Sequence, residues 1–63
     1  MRYDRKNLNS TIRAAQIIST RSGLIYFVYA TALGYCVYKE PPAFYQGYYA
    51  IDGQKVEPVN RSE

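Results

Sequence analysis

The residues that could do chemistry in this chain are few, and they are not grouped. The 63 residues include no histidine and a single cysteine, Cys36, so neither a Ser-His nor a Cys-His pair can form. No glycine-rich phosphate loop occurs. The carboxylates after residue 38 are scattered and form no acid–base dyad: Glu40, Asp52, Glu57 and Glu63. We therefore predict that the chain is not an enzyme and has no catalytic residues.

Cofactor and metal ligands are equally scarce. A structural zinc site needs clustered cysteine and histidine side chains, which one cysteine cannot supply. Haem iron takes His, Met or Cys ligands, and only Met1 and Cys36 could serve. Cys36 lies in an apolar segment, which disfavours the reactive thiolate form. We therefore expect Cys36 to be a packing residue rather than a reactive thiol. The sequence predicts no cofactor, no metal and no small-molecule substrate.

The element that dominates the sequence is an uncharged run over residues 22–38, SGLIYFVYATALGYCVY. As an α-helix this run would be about 25 Å long, close to the hydrocarbon thickness of a bilayer. It is apolar on all sides, charges flank both ends, and aromatic residues crowd its C-terminal boundary. These features predict a mainly α protein with a single transmembrane helix over about residues 22–38. The alternative is a soluble α+β mini-domain whose single helix packs on a hairpin.

Three segments follow from the membrane interpretation. Residues 1–10 form a basic polar arm, residues 11–39 form the helix with an amphipathic start, and residues 40–63 form a tail on the opposite side. Asn9 and Ser10 are the expected N-caps, because their side-chain oxygens can accept from free helix amides.

The tail carries aromatic residues and one turn signal. Pro41 and Pro42 end the predicted helix. The segment YYAIDGQKVEPV predicts a hairpin that turns at Asp52–Gly53, with Pro58 on an edge or beyond the strand. An extended tail is the alternative, since an isolated hairpin is marginal in water.

The net charge of +3 is unevenly distributed. Before Ser22 a single acid stands against five bases: Arg2, Arg5, Lys6, Arg13 and Arg21. The positive-inside rule places this end in the cytoplasm or the mitochondrial matrix. An Arg- and Ser-rich start resembles a retained mitochondrial presequence, which favours the mitochondrial inner membrane over a bacterial inner membrane or a virion membrane. Five bases are modest for nucleic acid, and we predict no nucleic-acid partner.

Two groups of residues are candidate contacts for other subunits and lipids. Small residues share one side of the predicted helix with an aromatic ring and predict a helix-packing face: Gly23, Phe27, Ala30 and Gly34. Residues near the predicted interfaces would contact lipid headgroups or a partner: Arg13, Arg21, Tyr35, Tyr38, Phe44 and Tyr45. Tyr26 and Tyr29 would need hydroxyl partners within the bilayer, which favours neighbouring protein over lipid alone.

The function predicted on these grounds is structural. We expect a non-catalytic, single-pass accessory subunit that stabilises a multi-subunit membrane complex, with respiratory-chain (electron-transport) and ATP-synthase complexes as the first examples. Its partners would be other transmembrane subunits and membrane lipids. One alternative is a viral or phage minor structural protein that anchors a shell to a membrane. Another is a small soluble basic binding module.

Overall fold

The computed structural model describes residues 7–45 and 47–60 of the chain. In chain order its elements are α1 (Leu8–Ser22), β1 (Ile25–Thr31), β2 (Gly34–Tyr38), β3 (Gly47–Asp52) and β4 (Lys55–Asn60). The four strands form one antiparallel sheet in the order β2-β1-β3-β4. Helix α1 packs on one face of this sheet.

The predicted transmembrane helix is wrong. Helix α1 ends at Ser22, and most of the uncharged run forms the β1–β2 hairpin. In the described part of the chain, no helix has the length and apolar character needed to cross a bilayer. The mainly α, single-pass fold is therefore wrong, and so are the mitochondrial, bacterial and virion membrane locations that rested on it. The alternative α+β interpretation is closer, although the helix packs on a four-stranded sheet rather than on a hairpin.

Helix α1 is bounded by caps that differ from the predicted ones. Asn7 precedes the helix in an extended conformation, and its side chain accepts a 3.2 Å hydrogen bond from the Ser10 amide. The predicted caps, Asn9 and Ser10, lie within the first turn instead. Gly23 follows the helix with φ of +75°, and its amide donates to the Ser19 carbonyl oxygen at 2.8 Å. A left-handed glycine ends the helix there, because other residues adopt this φ only with strain.

The buried face of α1 consists of small side chains. Thr11, Ala15 and Ser19 follow one another at four-residue spacing and are completely or almost completely buried. Small residues let the helix axis approach the sheet closely. Ala15 packs with Val28 of β1 and Ile51 of β3, and these three residues are the centre of the core. Half-buried apolar residues surround it: Leu8, Ile12, Val37, Tyr49 and Val56.

The β1–β2 hairpin explains why the run looked apolar on all sides. It is rich in Tyr, Val, Ile and Phe, which suit a pleated sheet and lose side-chain freedom in a helix. The side chains of β1 alternate between the sheet face under the helix and the opposite face, where the half-buried rings of Phe27 and Tyr29 lie. Val28 is fully buried on the helix side, whereas Tyr29 points to the opposite side. An interior strand of this kind has no polar face.

The predicted β3–β4 hairpin is confirmed, with its turn one residue further along. Asp52 pairs with Lys55, so the two-residue loop is Gly53–Gln54 rather than Asp52–Gly53. Gly53 has φ of +61°, while Gln54 has a negative φ, as in a type II′ turn. This register places Val56 opposite Ile51 on the core side. A shift of one residue would move β4's apolar side chains to the other face.

Residues 39–45 carry the chain from β2 to β3 across the sheet face that the helix leaves open. The two strands run in the same direction on either side of β1, so the segment must cross β1. Its Tyr45 ring packs edge-on against Tyr29, with ring centroids 4.9 Å apart. Pro42 is buried within it. The second face of the sheet is therefore partly covered by the chain itself.

A buried hydroxyl joins the helix to both hairpins. The Ser19 Oγ donates to the Leu24 carbonyl oxygen at 2.5 Å and accepts from the Gly53 amide at 2.7 Å. The Ile51 carbonyl oxygen lies 3.3 Å from the same Oγ atom. One side chain thus fixes the start of β1 and the β3–β4 turn relative to α1.

Candidate binding surface

The predicted helix-packing face does not exist as a surface, because its residues lie on different elements. Gly23 caps α1, and Gly34 begins β2. Phe27 and Ala30 both lie on β1, but an odd spacing along a strand places them on opposite faces. The spacing that would bring them together exists only in a helix.

The residues predicted to contact lipid headgroups or a partner lie in three separate parts of the structure. Arg13 and Arg21 are exposed on α1, and Tyr35 is half-buried on the helix side of β2. The other three residues lie on the opposite side of the sheet or in the crossing segment: Tyr38, Phe44 and Tyr45. Phe44 is 95% exposed. The partner and lipid contacts assigned to this group remain predictions.

Five rings form a continuous aromatic face on the side of the sheet away from the helix: Phe27, Tyr29, Tyr38, Tyr45 and Tyr48. Tyr29 stacks on Tyr38 with centroids 4.1 Å apart and a 15° angle between the rings. Phe27 meets Tyr48 edge-on, with centroids 5.9 Å apart. Phe27 is also directly opposite Tyr38 in the β1–β2 register, which connects the two pairs. Sequence analysis missed this face because it assigned the run to a helix.

The environment of the aromatic face raises the pKa of two phenols. Burial is the main cause of the raised pKa of Tyr29, and Coulombic interactions with Tyr45, Glu40 and Cys36 add to it. Burial also raises the pKa of Tyr38, as does its hydrogen bond with Cys36, while a hydrogen bond with Thr31 acts in the opposite direction. Both phenols are neutral at physiological pH.

The described charges do not suit the aromatic face to nucleic acid. Two cations and three anions lie on this side of the sheet or on the crossing segment: Lys39, Glu40, Asp52, Lys55 and Glu57. Arg13 and Arg21 lie on the exposed side of α1, behind the sheet. Stacking of single-stranded nucleic acid on aromatic rings normally requires a surrounding basic groove. The remaining bases of the predicted arm, Arg2, Arg5 and Lys6, lie outside the described residues.

The two edges of the sheet differ in how they are protected against pairing. Strand β4 has charged Lys55 and Glu57, and it has Pro58, which has no amide hydrogen. Asp52 and Lys55 flank a two-residue loop and therefore bond each other, so the backbone groups of Val56 and Pro58 point outward. Proline at an outward position removes a donor that another strand would need. The predicted edge position of Pro58 is confirmed.

Strand β2 has none of these protections. Its sequence, GYCVY, contains no charge and no proline, and each of its residues is half-exposed. Thr31 and Gly34 flank the two-residue loop to β1 and must bond each other, since the other pattern would need a bond between adjacent residues. Hydrogen-bonded and non-hydrogen-bonded pairs alternate along an antiparallel ladder, so the pair two residues further on, Tyr29 and Cys36, is also hydrogen-bonded. The amide and carbonyl groups of Cys36 therefore face β1. The amide and carbonyl groups of Tyr35 and Val37 face outward.

Nothing in the described part of the chain occupies this edge. Outside the helix and the strand pairs, the backbone hydrogen bonds among the described residues are those of the helix caps. No described side chain bonds the outward groups of Tyr35 or Val37. Leu33, at the tip of the hairpin beside this edge, is 73% exposed. The edge is therefore a row of unpaired donors and acceptors that ends at an exposed apolar side chain.

No cluster of metal-binding side chains is present among residues 7–45 and 47–60. No three Cys, Asp or Glu side chains in that part come close enough together to hold a metal ion. Cys36, one of the two possible haem ligands, is half-buried in β2 opposite Tyr29. The other, Met1, lies outside the described residues.

Searches of protein-family models, of curated proteins and of solved structures gave no match to this chain.

Proposed function

We propose that this chain is a small non-catalytic assembly module that forms a complex by pairing its edge strand β2 with an extended strand of a second polypeptide. The observation that carries this proposal is the contrast between the two edges of the sheet. Charge and proline protect β4, whereas β2 presents the unpaired amide and carbonyl groups of Tyr35 and Val37. Natural sheets that remain alone usually protect both edges.

Strand addition matches the chemistry of this edge. Backbone hydrogen bonds supply affinity in this mode of recognition, and alternate side chains supply specificity. Tyr35 and Val37 contact the helix side of an added strand, and Cys36 and Tyr38 contact the aromatic side. Leu33 extends the apolar contact beyond the end of the strand. No charged side chain of β2 opposes an apolar or aromatic partner strand.

Membership of a multi-subunit assembly is retained from the sequence interpretation, and the spanning helix is not. Stability gives a further reason, because a 63-residue chain buries only about 60% of its unfolded surface, less than a larger domain does, and so benefits from a partner.

The test replaces an outward-facing residue on each edge. Val37→Pro removes an outward amide hydrogen from β2, and Val56→Pro removes the equivalent outward hydrogen from β4. Both valines are half-buried and pack against the same core, so the two variants are matched. Circular dichroism of the purified variants establishes that both fold.

Each variant then replaces the natural chain in the cells that express it, and gentle lysates are fractionated by size. We expect the natural chain and Val56→Pro to elute as a complex larger than the free chain, and Val37→Pro to elute near the 7.3 kDa of the free chain. Hydrogen exchange on the isolated assembly should show protected amides at Tyr35 and Val37. Elution of folded Val37→Pro with the assembly, or of the natural chain as a free monomer, would contradict the proposal.

A further inference from the structure

We infer that the strand paired with β2 is β2 of a second copy of this chain, in an antiparallel register centred on Cys36. This inference rests on the proposed function and names its partner. It would give a two-fold symmetric dimer with one continuous sheet of eight strands.

The direction of the backbone groups selects the register. In an antiparallel pair, outward-facing residues must oppose outward-facing residues. A register centred on Cys36 pairs Tyr35 with Val37 of the second copy, and Val37 with Tyr35. Tyr35 and Val37 each present one amide and one carbonyl group, so each β2 strand has four outward groups. This register pairs all of them and gives four hydrogen bonds across the dimer. A centre at Tyr35 would draw in loop residue Leu33, and a centre at Val37 would draw in Lys39 from beyond the strand.

Side-chain sizes fit the same register. Tyr38, the bulkiest residue on the aromatic side of β2, is opposite Gly34 of the second copy, which has no side chain to obstruct it. On the helix side, Tyr35 opposes Val37, and aromatic and β-branched residues form favourable cross-strand pairs. Cys36 opposes Cys36, two small side chains at the symmetry axis. No like charges meet, because β2 has no charge.

The two-fold arrangement also closes the assembly. Both ends of the eight-stranded sheet are β4 strands, which carry Lys55, Glu57 and Pro58. An isologous contact that leaves only protected edges ends at a dimer and does not continue into a fibre. Both helices lie on one side of the joined sheet and both aromatic faces on the other, because the symmetry axis is perpendicular to the sheet.

The size of the contact sets the expected strength. A five-residue strand pair buries less than the roughly 1,200 Å² of total surface found in stable complexes. We therefore expect a dimer that forms with rising protein concentration rather than one that persists at high dilution. Val37→Pro removes two of the four hydrogen bonds, which should weaken dimerisation by about 30-fold. Val56→Pro should leave it unchanged.

The first experiment is sedimentation equilibrium of the purified full chain over a wide concentration range. Chemical synthesis provides a second pair of variants, N-methylated at Val37 or at Val56, in case proline disturbs folding. We expect dimerisation of the natural chain and of both Val56 forms, and loss of it in both Val37 forms. If the pure chain remains monomeric while Val37→Pro still leaves the cellular assembly, the partner is another polypeptide and only this inference fails. Dimers that persist in folded Val37 variants would place the contact elsewhere and overturn it.

The second experiment tests the register through Cys36, which is the only cysteine of the chain. A Cys36 pair at the symmetry axis does not exchange hydrogen bonds, and such pairs have Cα atoms about 4.5 Å apart, within the range of a disulfide. Copper phenanthroline in air converts two thiols to a disulfide, with dioxygen accepting the electrons. Cys36 should cross-link faster than a cysteine placed on β4 in a Cys36→Ala, Glu57→Cys control. Equal rates in the two proteins would contradict the register.

Discussion

The replacement Ser19→Ala should destabilise the protein far more than its size suggests. The Ser19 side chain is 1% exposed, and its Oγ bonds the Leu24 carbonyl and the Gly53 amide. Alanine retains the Cβ atom and adds no bulk, so the helix can pack as before. The substitution leaves the Leu24 carbonyl oxygen and the Gly53 amide without their shared hydrogen-bond partner.

The magnitude follows from these two groups. A buried polar group without a partner costs about 1–3 kcal/mol. The Leu24 and Gly53 bonds are only partly buried, so the lower part of that range applies to each. Alanine recovers roughly 0.5 kcal/mol through its higher helix propensity. A net loss of about 2 kcal/mol corresponds to a fall of about 8–16 °C in Tm for a domain of this size.

The assay is urea and thermal unfolding followed by circular dichroism, with Ser10→Ala as the matched control. Ser10 is exposed in the first turn of the same helix, so this change should leave stability equal or slightly higher. Equal unfolding midpoints for the two variants would refute the reasoning. That result would mean that water replaces the Ser19 hydroxyl at little cost.

Three further predictions concern the core, the helix cap and the pH dependence. Val28→Ala should cost about 2–3 kcal/mol in urea unfolding, since it removes two methyl groups from a fully buried site; a loss under about 1 kcal/mol would indicate a core that collapses around the gap. Asn7→Ala should cost about 1 kcal/mol in the same assay, and Asn7→Asp should retain most of the cap. The raised pKa values of Tyr29 and Tyr38 mean that their contribution to stability is complete below about pH 10 and decreases as pH rises towards the folded pKa. Thermal unfolding from neutral to alkaline pH should show this decrease, and replacing both tyrosines with phenylalanine should reduce it.

The parts of the fold that the sequence predicted correctly are those with strong local signals. The β3–β4 hairpin was recognised because Gly53 lies between two alternating segments. The position of its turn was missed by one residue. The Asp-Gly pattern favours a type I′ turn, which needs positive φ at both loop residues, whereas packing of Val56 against Ile51 selects Gly53–Gln54 as the loop. Tertiary contacts therefore decided a detail that turn chemistry alone left ambiguous.

The failure at residues 22–38 has an identifiable physical cause. An apolar run on all sides is expected both of a helix in lipid and of an interior strand with two covered faces. The signals that separate them were present in the residue types. Gly23 directly after a polar turn is a helix stop, and the residues that follow are mostly β-branched or aromatic. The length of the run favours a membrane-spanning helix, but two short strands with a loop between them fill the same length.

The candidate surface could not be found before the fold was known. Which backbone groups of β2 face outward depends on the bonded pair at Thr31 and Gly34, and that pair depends on the loop having two residues. The contrast with Pro58 on the other edge requires the strand order, which has no local signature in the sequence. Sequence alone predicts that Tyr26 and Tyr29 contact neighbouring subunits within a bilayer, whereas in the structure the ring of Tyr29 packs on Tyr38 and Tyr45 of the same chain.

The small core gives the exposed edge a thermodynamic role. The fully buried apolar residues of the described chain are Ala15, Val28 and Ile51, and one of these is only an alanine. Chains near 60 residues are marginal when they stand alone. A contact made only by the folded state adds stability in proportion to the logarithm of the partner's concentration relative to Kd. Pairing through Tyr35 and Val37 would therefore stabilise the same sheet that presents them, so that assembly and folding reinforce each other. In an isolated domain, an unprotected β2 edge can pair with other chains and cause aggregation. In a module that is stable only when paired, the same edge can form the contact without any additional binding surface.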